Sequence, residues 1–135
     1  MKDYREQIIQ LLVAEKLPVD DLPETLENFH VIIQNNEPIG VAGLEIYGVN
    51  GLLRSVVVDK NFRGKGFADQ LIKKIEVHVG LKEIYLLTET AVAYFEKKGY
   101  QIITRVEVPE EVLQSSEFSH VCPESAIVMK KIIRK

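Results

Sequence analysis

Val56-Val57-Val58-Asp59-Lys60-Asn61-Phe62-Arg63-Gly64-Lys65-Gly66-Phe67-Ala68 is the stretch on which the fold turns. Three consecutive β-branched residues suit a strand covered on both faces. The polar, glycine-rich run Asn61–Gly66 breaks that strand. Beyond it, Ala68, Leu71, Ile72, Ile75 and Val79 follow helical spacing, with Gly80 where a C-terminal cap belongs. The first N–H groups of a helix lack partners within the helix, and its dipole makes that end electropositive. Small residues let a phosphate come close to those groups. Arg63 and Lys65 add charge, so a pyrophosphate is the natural guest. Two other phosphate loops are excluded. A P-loop needs Lys-Ser/Thr after its last glycine, and Phe67-Ala68 stand there. The dinucleotide fingerprint needs a small residue where Asp69 lies.

Downstream of the helix, Ile84–Leu87 reads as a short buried strand and Thr90–Lys98 as a helix closed by Gly99. Tyr100–Val106 alternates as a strand, Pro109–Gln114 suits a short helix, and Ala126–Ile132 a last strand. Upstream, Asp3–Glu15 is helical, with Ile8, Leu11 and Leu12 on one stripe, and Leu17-Pro18 stops it. A short helix at Pro23–Asn28 precedes a strand at Phe29–Gln34, a turn at Asn35–Pro38 and a strand at Ile39–Tyr47. Gly48–Gly51 then turns into a strand at Leu52–Asp59. A hairpin followed by strand–helix–strand implies an α/β (α+β) fold, a mainly antiparallel sheet holding one parallel pair and flanked by helices.

The chain of 135 residues suits one domain spanning 1–135, long enough to bury about two-thirds of its unfolded surface. Its formal net charge of −3 lacks the basic excess of nucleic-acid binders. One cysteine, Cys122, cannot close an internal disulfide, which points to a reducing, cytoplasmic setting. The charged start Met1–Glu6 carries no apolar leader, and no run approaches the ~20 apolar residues of a membrane span. His30, His78 and His120 are scattered, so no metal is expected.

Arg63-Gly64-Lys65-Gly66-Phe67-Ala68 resembles the GNAT N-acetyltransferase pattern (Arg or Gln)-x-x-Gly-x-(Gly or Ala). The strand before it, the helix after it and Tyr94-Phe95-Glu96-Lys97-Lys98-Gly99-Tyr100 fall where that family has them. For the six residues alone, a turn that merely joins strand to helix is an equal reading; the surroundings favour the family. The resemblance implies acetyl-CoA as co-substrate, its pyrophosphate on Arg63, Gly64, Lys65, Gly66, Phe67 and Ala68, and its pantetheine arm on the backbone of Val57 and Val58. It places the parallel pair at the cofactor cleft. The family's first strand is short or missing, because Met1–Tyr4 barely accommodates one.

Acetyl transfer needs a neutral amine, and a lysine-like amine of pKa ~10 is mostly protonated at neutral pH. It also needs donors for the tetrahedral oxyanion. The resemblance assigns that donor to a backbone N–H near Val57 or Val58. Many relatives carry a Glu as base on this strand, four residues before the valine that precedes the loop, where this chain has Arg54. Glu45, on the previous strand, shares a face with Arg54 under a two- or four-residue turn. Glu45 is therefore the candidate base, with Arg54 its partner or a clamp for a substrate oxyanion. A purely structural ion pair is the alternative. The family's acid, a tyrosine, aligns with Phe95, and Tyr94 lies one residue early, ~100° around the helix. Departure of the thiolate without a side-chain acid is the simpler account. Cys122 has no Cys–His signature and reads as buried filler.

Several stretches resemble one subgroup, the arsenic-resistance N-acetyltransferases: Leu17-Pro18 with Asp21-Leu22, Gly43-Leu44-Glu45, Leu52-Leu53-Arg54-Ser55, Leu86–Thr90, and the segment from Val108-Pro109 to Met129. That resemblance implies a small anionic or amino-acid-like acceptor held by Arg54, Ser55, Thr88, Glu117 and Ser119. The expected partners are a small-molecule amine, no nucleic acid and no membrane, for a monomer or homodimer. A non-catalytic acyl-CoA-binding module on the same fold is the alternative reading.

Overall fold

The computed structural model describes residues 5–15, 17, 19, 28–115, 118 and 126–133. The elements are α1 (Arg5–Ala14), β1 (Phe29–Gln34), β2 (Glu37–Tyr47), β3 (Asn50–Val58), α2 (Phe67–Glu76), β4 (Glu83–Thr88), α3 (Val92–Lys97), β5 (Gln101–Ile103), α4 (Glu110–Leu113) and β6 (Ile127–Ile132). The six strands form one sheet in the order β1-β2-β3-β4-β6-β5. β3 and β4 are parallel over Asn50–Leu52 and Glu83–Tyr85, while β1–β2, β4–β6 and β5–β6 are antiparallel. This is the mixed α/β architecture expected from the sequence. Residues 1–4, where the family's first strand is expected to be short or missing, and most of the short helix expected at 23–28 lie outside the described residues.

Two compact units divide the chain. In the first, Ile8 and Leu12 of α1 meet Phe29, Val41 and Val57 in one buried cluster. α2 packs on β1 through a face carrying Leu71, Ile72 and Ile75. Gly43 is needed beside Phe29, because a Cβ there would sit 2.6 Å from the aromatic ring. In the second unit, Leu52, Tyr85, Val108, Val112, Phe118 and Val128 form the core.

Several boundaries differ from the sequence expectation. The first hairpin turns on Asn35 and Asn36 alone, both at positive φ, so β2 begins at Glu37 and takes Pro38 into the ladder opposite Ile33, beside a register shift. Asparagine tolerates that backbone region well enough to make the tighter turn. The second hairpin likewise turns on Gly48 and Val49 alone, so β3 begins at Asn50. α2 stops at Glu76, leaving Val79 85% exposed instead of on the buried stripe. β5 stops at Ile103 because Thr104 starts a 3-10 turn whose Glu107 carboxylate accepts from the Thr104 N–H at 2.9 Å.

Candidate functional site

The glycine-rich loop lies wholly in the first unit. The Asp59 N–H extends the sheet to the Ile39 carbonyl at 2.7 Å, and its carboxylate accepts from the Asn61 N–H at 2.9 Å, opening a single 3-10 turn at Lys60–Phe62. Gly64 and Gly66 then take φ of +79° and +83°, a region glycine enters without penalty. Gly66 is the N-cap of α2 and offers no side-chain cap, and the first backbone bond of the helix runs from the Gln70 N–H to the Gly66 carbonyl. The N–H groups of Phe67, Ala68 and Asp69 therefore precede the helical ladder. A Cβ built on Gly64 or Gly66 would meet nothing within 4 Å, so the space in front of those glycines is open. Open backbone at an electropositive helix end fits a pyrophosphate.

Arg63 has a role the sequence did not suggest. Its Nε donates to the Val58 carbonyl at 3.0 Å and its Nη2 pairs with Glu15, just past α1. The side chain braces the loop against the end of β3, and the exposed Lys65 is left as the loop's outward cation. Val57 and Val58 have buried side chains, so whatever they contribute to binding comes from their backbone.

A second arrangement lies wholly in the other unit. Glu45 and Arg54 are ion-paired, with Arg54 Nη1 2.6 Å from Glu45 Oε2. The Arg54 side chain is 0% exposed and that of Glu45 20%. The other carboxylate oxygen, Oε1, accepts from the Tyr47 hydroxyl. Burial, and then the Glu45 bond and charge, push the Tyr47 phenol well above its ordinary range, while Ser115 and the Arg54 charge pull the other way. The Ser115 hydroxyl is buried with no hydrogen-bond partner of ordinary geometry among the described residues.

The remaining expected site residues are placed as follows. Ser55 sits within β3 at a φ of +57°, a strained setting for a residue with a side chain. The Thr88 hydroxyl accepts from the Ala91 N–H at 3.0 Å, anchoring the entry to α3. Phe95 is buried and lies edge-on to Tyr94 and to Tyr100 at centroid distances of 5.2 and 5.5 Å. Glu117, Ser119 and Cys122 lie outside the described residues. Among the described residues no cluster of His, Cys, Asp or Glu could hold a metal, and no helix is long and apolar enough to cross a membrane. Sequence reasoning passed over Tyr47 and Ser115. The i, i+2 spacing of Glu45 and Tyr47 on one strand was the available signal for the tyrosine.

The acetyltransferase (GNAT) domain family matches residues 25–102. An uncharacterised N-acetyltransferase of Chlorobaculum tepidum is 28% identical over 101 residues, which are 72% of this chain and 64% of that protein. An amino-acid acetyltransferase of Ralstonia nicotianae is 28% identical over 116 residues, 82% of this chain and 25% of that protein. The chain thus spans less than two-thirds of the length of these relatives. The N-acetylglutamate synthase of Neisseria gonorrhoeae, solved with coenzyme A and N-acetyl-glutamate, shares the fold at a TM-score of 0.79 and 16% identity, over 100% of this chain and 34% of that one. With the family match covering more than half of its residues, the chain belongs to the GNAT acetyltransferase family.

Proposed function

We propose that residues 1–135 form one catalytic domain that moves an acetyl group from acetyl-CoA to the primary amine of a small, amino-acid-like molecule. One observation carries this reading: two left-handed glycines open onto free space at the uncapped start of α2. The pyrophosphate binds the N–H groups of residues 64–68, with Lys65 as the outward cation. β3 leaves its parallel ladder after Leu52 and runs on to Val58, which supports backbone pairing of the pantetheine arm with Val57 and Val58. The amine attacks the thioester carbonyl, a C–N bond forms, the C–S bond breaks and the CoA thiolate departs. A thiol of pKa ~8.5 leaves without a side-chain acid, which suits the buried phenyl ring at Phe95. The ammonium proton passes to Glu45, directly or through water. Arg54, Ser55, Thr88, Glu117 and Ser119 belong to the acceptor side of this proposal.

The amino-acid-like acceptor is supported by the names of the Ralstonia and Neisseria relatives. The narrower likeness to arsenic-resistance N-acetyltransferases rests on sequence stretches alone and stays within the proposal, as does a cytoplasmic setting. Thiol release from acetyl-CoA, measured against a panel of amino acids and simple amines, tests the reading. Acetylation of at least one small amine is the expected result. Acetyl-CoA binding with no release for any amine sinks the enzyme reading and favours an acyl-CoA-binding module.

A further inference from the structure

The peptide that joins Val58 to Asp59 is held from both sides. Its N–H, on Asp59, donates to the Ile39 carbonyl at 2.7 Å, and its carbonyl, on Val58, accepts from Arg63 Nε at 3.0 Å. Between these ends the Phe62 N–H donates to the Asp59 carbonyl at 2.8 Å and the Asn61 N–H to the Asp59 carboxylate at 2.9 Å. Residues 58–63 thus close into a ring of local bonds, and the left-handed glycines, Gly64 and Gly66, follow from its last member. Where Arg63 stands decides where the N–H groups of those glycines stand. Arg63 is in turn held from outside the ring, because its Nη2 pairs with the Glu15 carboxylate. Glu15 has a firm anchor. Its N–H and that of Leu17 donate to the Leu12 carbonyl at 3.1 and 2.9 Å, and Leu12 is fully buried in the cluster that holds Phe29, Val41 and Val57. All of these residues belong to one compact unit.

We infer that Glu15 is a positioning residue for acetyl-CoA binding: by holding Arg63 it sets the pyrophosphate loop in place before the cofactor arrives. This deepens the proposed role of residues 63–68 and rests on it. The side chains of Arg63 and Glu15 are 51% and 31% exposed, and a pair so exposed adds little to stability. What it adds is order. An arginine side chain has much rotamer freedom, and holding Nε on one acceptor and Nη2 on another fixes the plane of the guanidinium. Order present in the free protein need not be imposed when the ligand binds. The bare charge of Glu15 works in the opposite sense, since a carboxylate repels a pyrophosphate. Solvent and salt screen that repulsion at a half-exposed site, whereas nothing screens the loss of order, so bracing is the larger effect.

The test is calorimetric titration of acetyl-CoA into wild type, Glu15→Ala, Glu15→Gln, Arg63→Ala and the double variant Glu15→Ala/Arg63→Ala, with a thermal melt of each. Glu15→Ala is expected to raise the Kd about threefold to tenfold, the size of ordering one rotamer-rich side chain on binding. It should melt within about 4 °C of wild type, because the pair is exposed. Glu15→Gln keeps an oxygen for Nη2 and should stay within about twofold of the wild-type Kd. Once Arg63 is gone Glu15 has nothing to hold, so the double variant should bind within about twofold of Arg63→Ala. Unchanged or tighter binding by Glu15→Ala, a Glu15→Gln variant no better than Glu15→Ala, or losses that multiply in the double variant overturns the inference and leaves the acetyltransferase reading intact. No binding of acetyl-CoA to wild type overturns that reading, and this inference with it.

Discussion

Removing the Glu45 carboxylate takes the ion-pair partner from a guanidinium that water does not reach. The Arg54 side chain is 0% exposed, whereas Glu45 keeps 20% of its surface in solvent. Breaking a buried pair by deleting one partner costs about 3–5 kcal/mol, a large part of the ~5–15 kcal/mol that holds a domain together. For a chain of 135 residues, 1 kcal/mol moves the midpoint by roughly 3–5 °C. Glu45→Ala should therefore lower Tm by about 10–20 °C. Glu45→Gln keeps an acceptor for Arg54 or Tyr47 and should cost less. In an Arg54→Met background the buried charge that Glu45 pairs with is gone, so Glu45→Ala should cost about 2 kcal/mol less than it does alone. Urea unfolding of the four proteins in this double-mutant cycle reads the coupling directly. Additivity within about 0.5 kcal/mol, or a Glu45→Ala variant as stable as wild type, refutes the claim that the pair is buried and coupled.

Other consequences follow from single positions. Gly43→Ala brings a methyl within 2.6 Å of the Phe29 ring and should cost about 1–3 kcal/mol in chemical denaturation. Burial and Glu83 raise the Tyr85 phenol from 10.0 to about 12, so the folded state keeps a proton that the unfolded state releases. The stability this brings is full below pH 10.0 and is lost as pH rises to about 12; Tyr85→Phe should flatten that alkaline fall in urea titrations. Tyr94→Phe should keep kcat within about tenfold, and a loss of 10²-fold or more with acetyl-CoA binding intact makes Tyr94 the acid after all. Glu45→Gln should lower kcat with acetyl-CoA affinity unchanged, and the deficit should shrink at higher pH as more amine is neutral; a pH-independent deficit removes Glu45 from proton transfer.

Much of the architecture was legible because its signals are local. A β-branched run, a glycine turn and a 3.6-residue stripe identify strand, loop and α2 from one window of sequence. The misread boundaries have equally local causes. Thr104 and Glu107, three apart, form a capping box that ends β5, and the alternation through Val106 hid it. Val79 continued the α2 period on paper, but with Val77 as the C-cap the chain has left the helix two residues earlier. At the site, the Glu45–Arg54 contact was readable because one short hairpin joins the two strands. Ser115, whose hydroxyl is buried, was not, since it lies 68 positions beyond Tyr47 and no local pattern marks it. Nor did the sequence indicate that the signature arginine, Arg63, is engaged by the Val58 carbonyl and Glu15.

The central claim is that the loop at residues 63–68 holds the pyrophosphate of acetyl-CoA. Calorimetric titration of acetyl-CoA into wild type and Gly66→Val tests it most directly. At a φ of +83° a β-branched residue is strained, and its side chain enters the open space proposed for phosphate. The account predicts one acetyl-CoA bound per wild-type chain, and a folded Gly66→Val whose affinity falls at least tenfold. Unchanged affinity in a variant that melts as wild type does, or no binding to wild type, contradicts it.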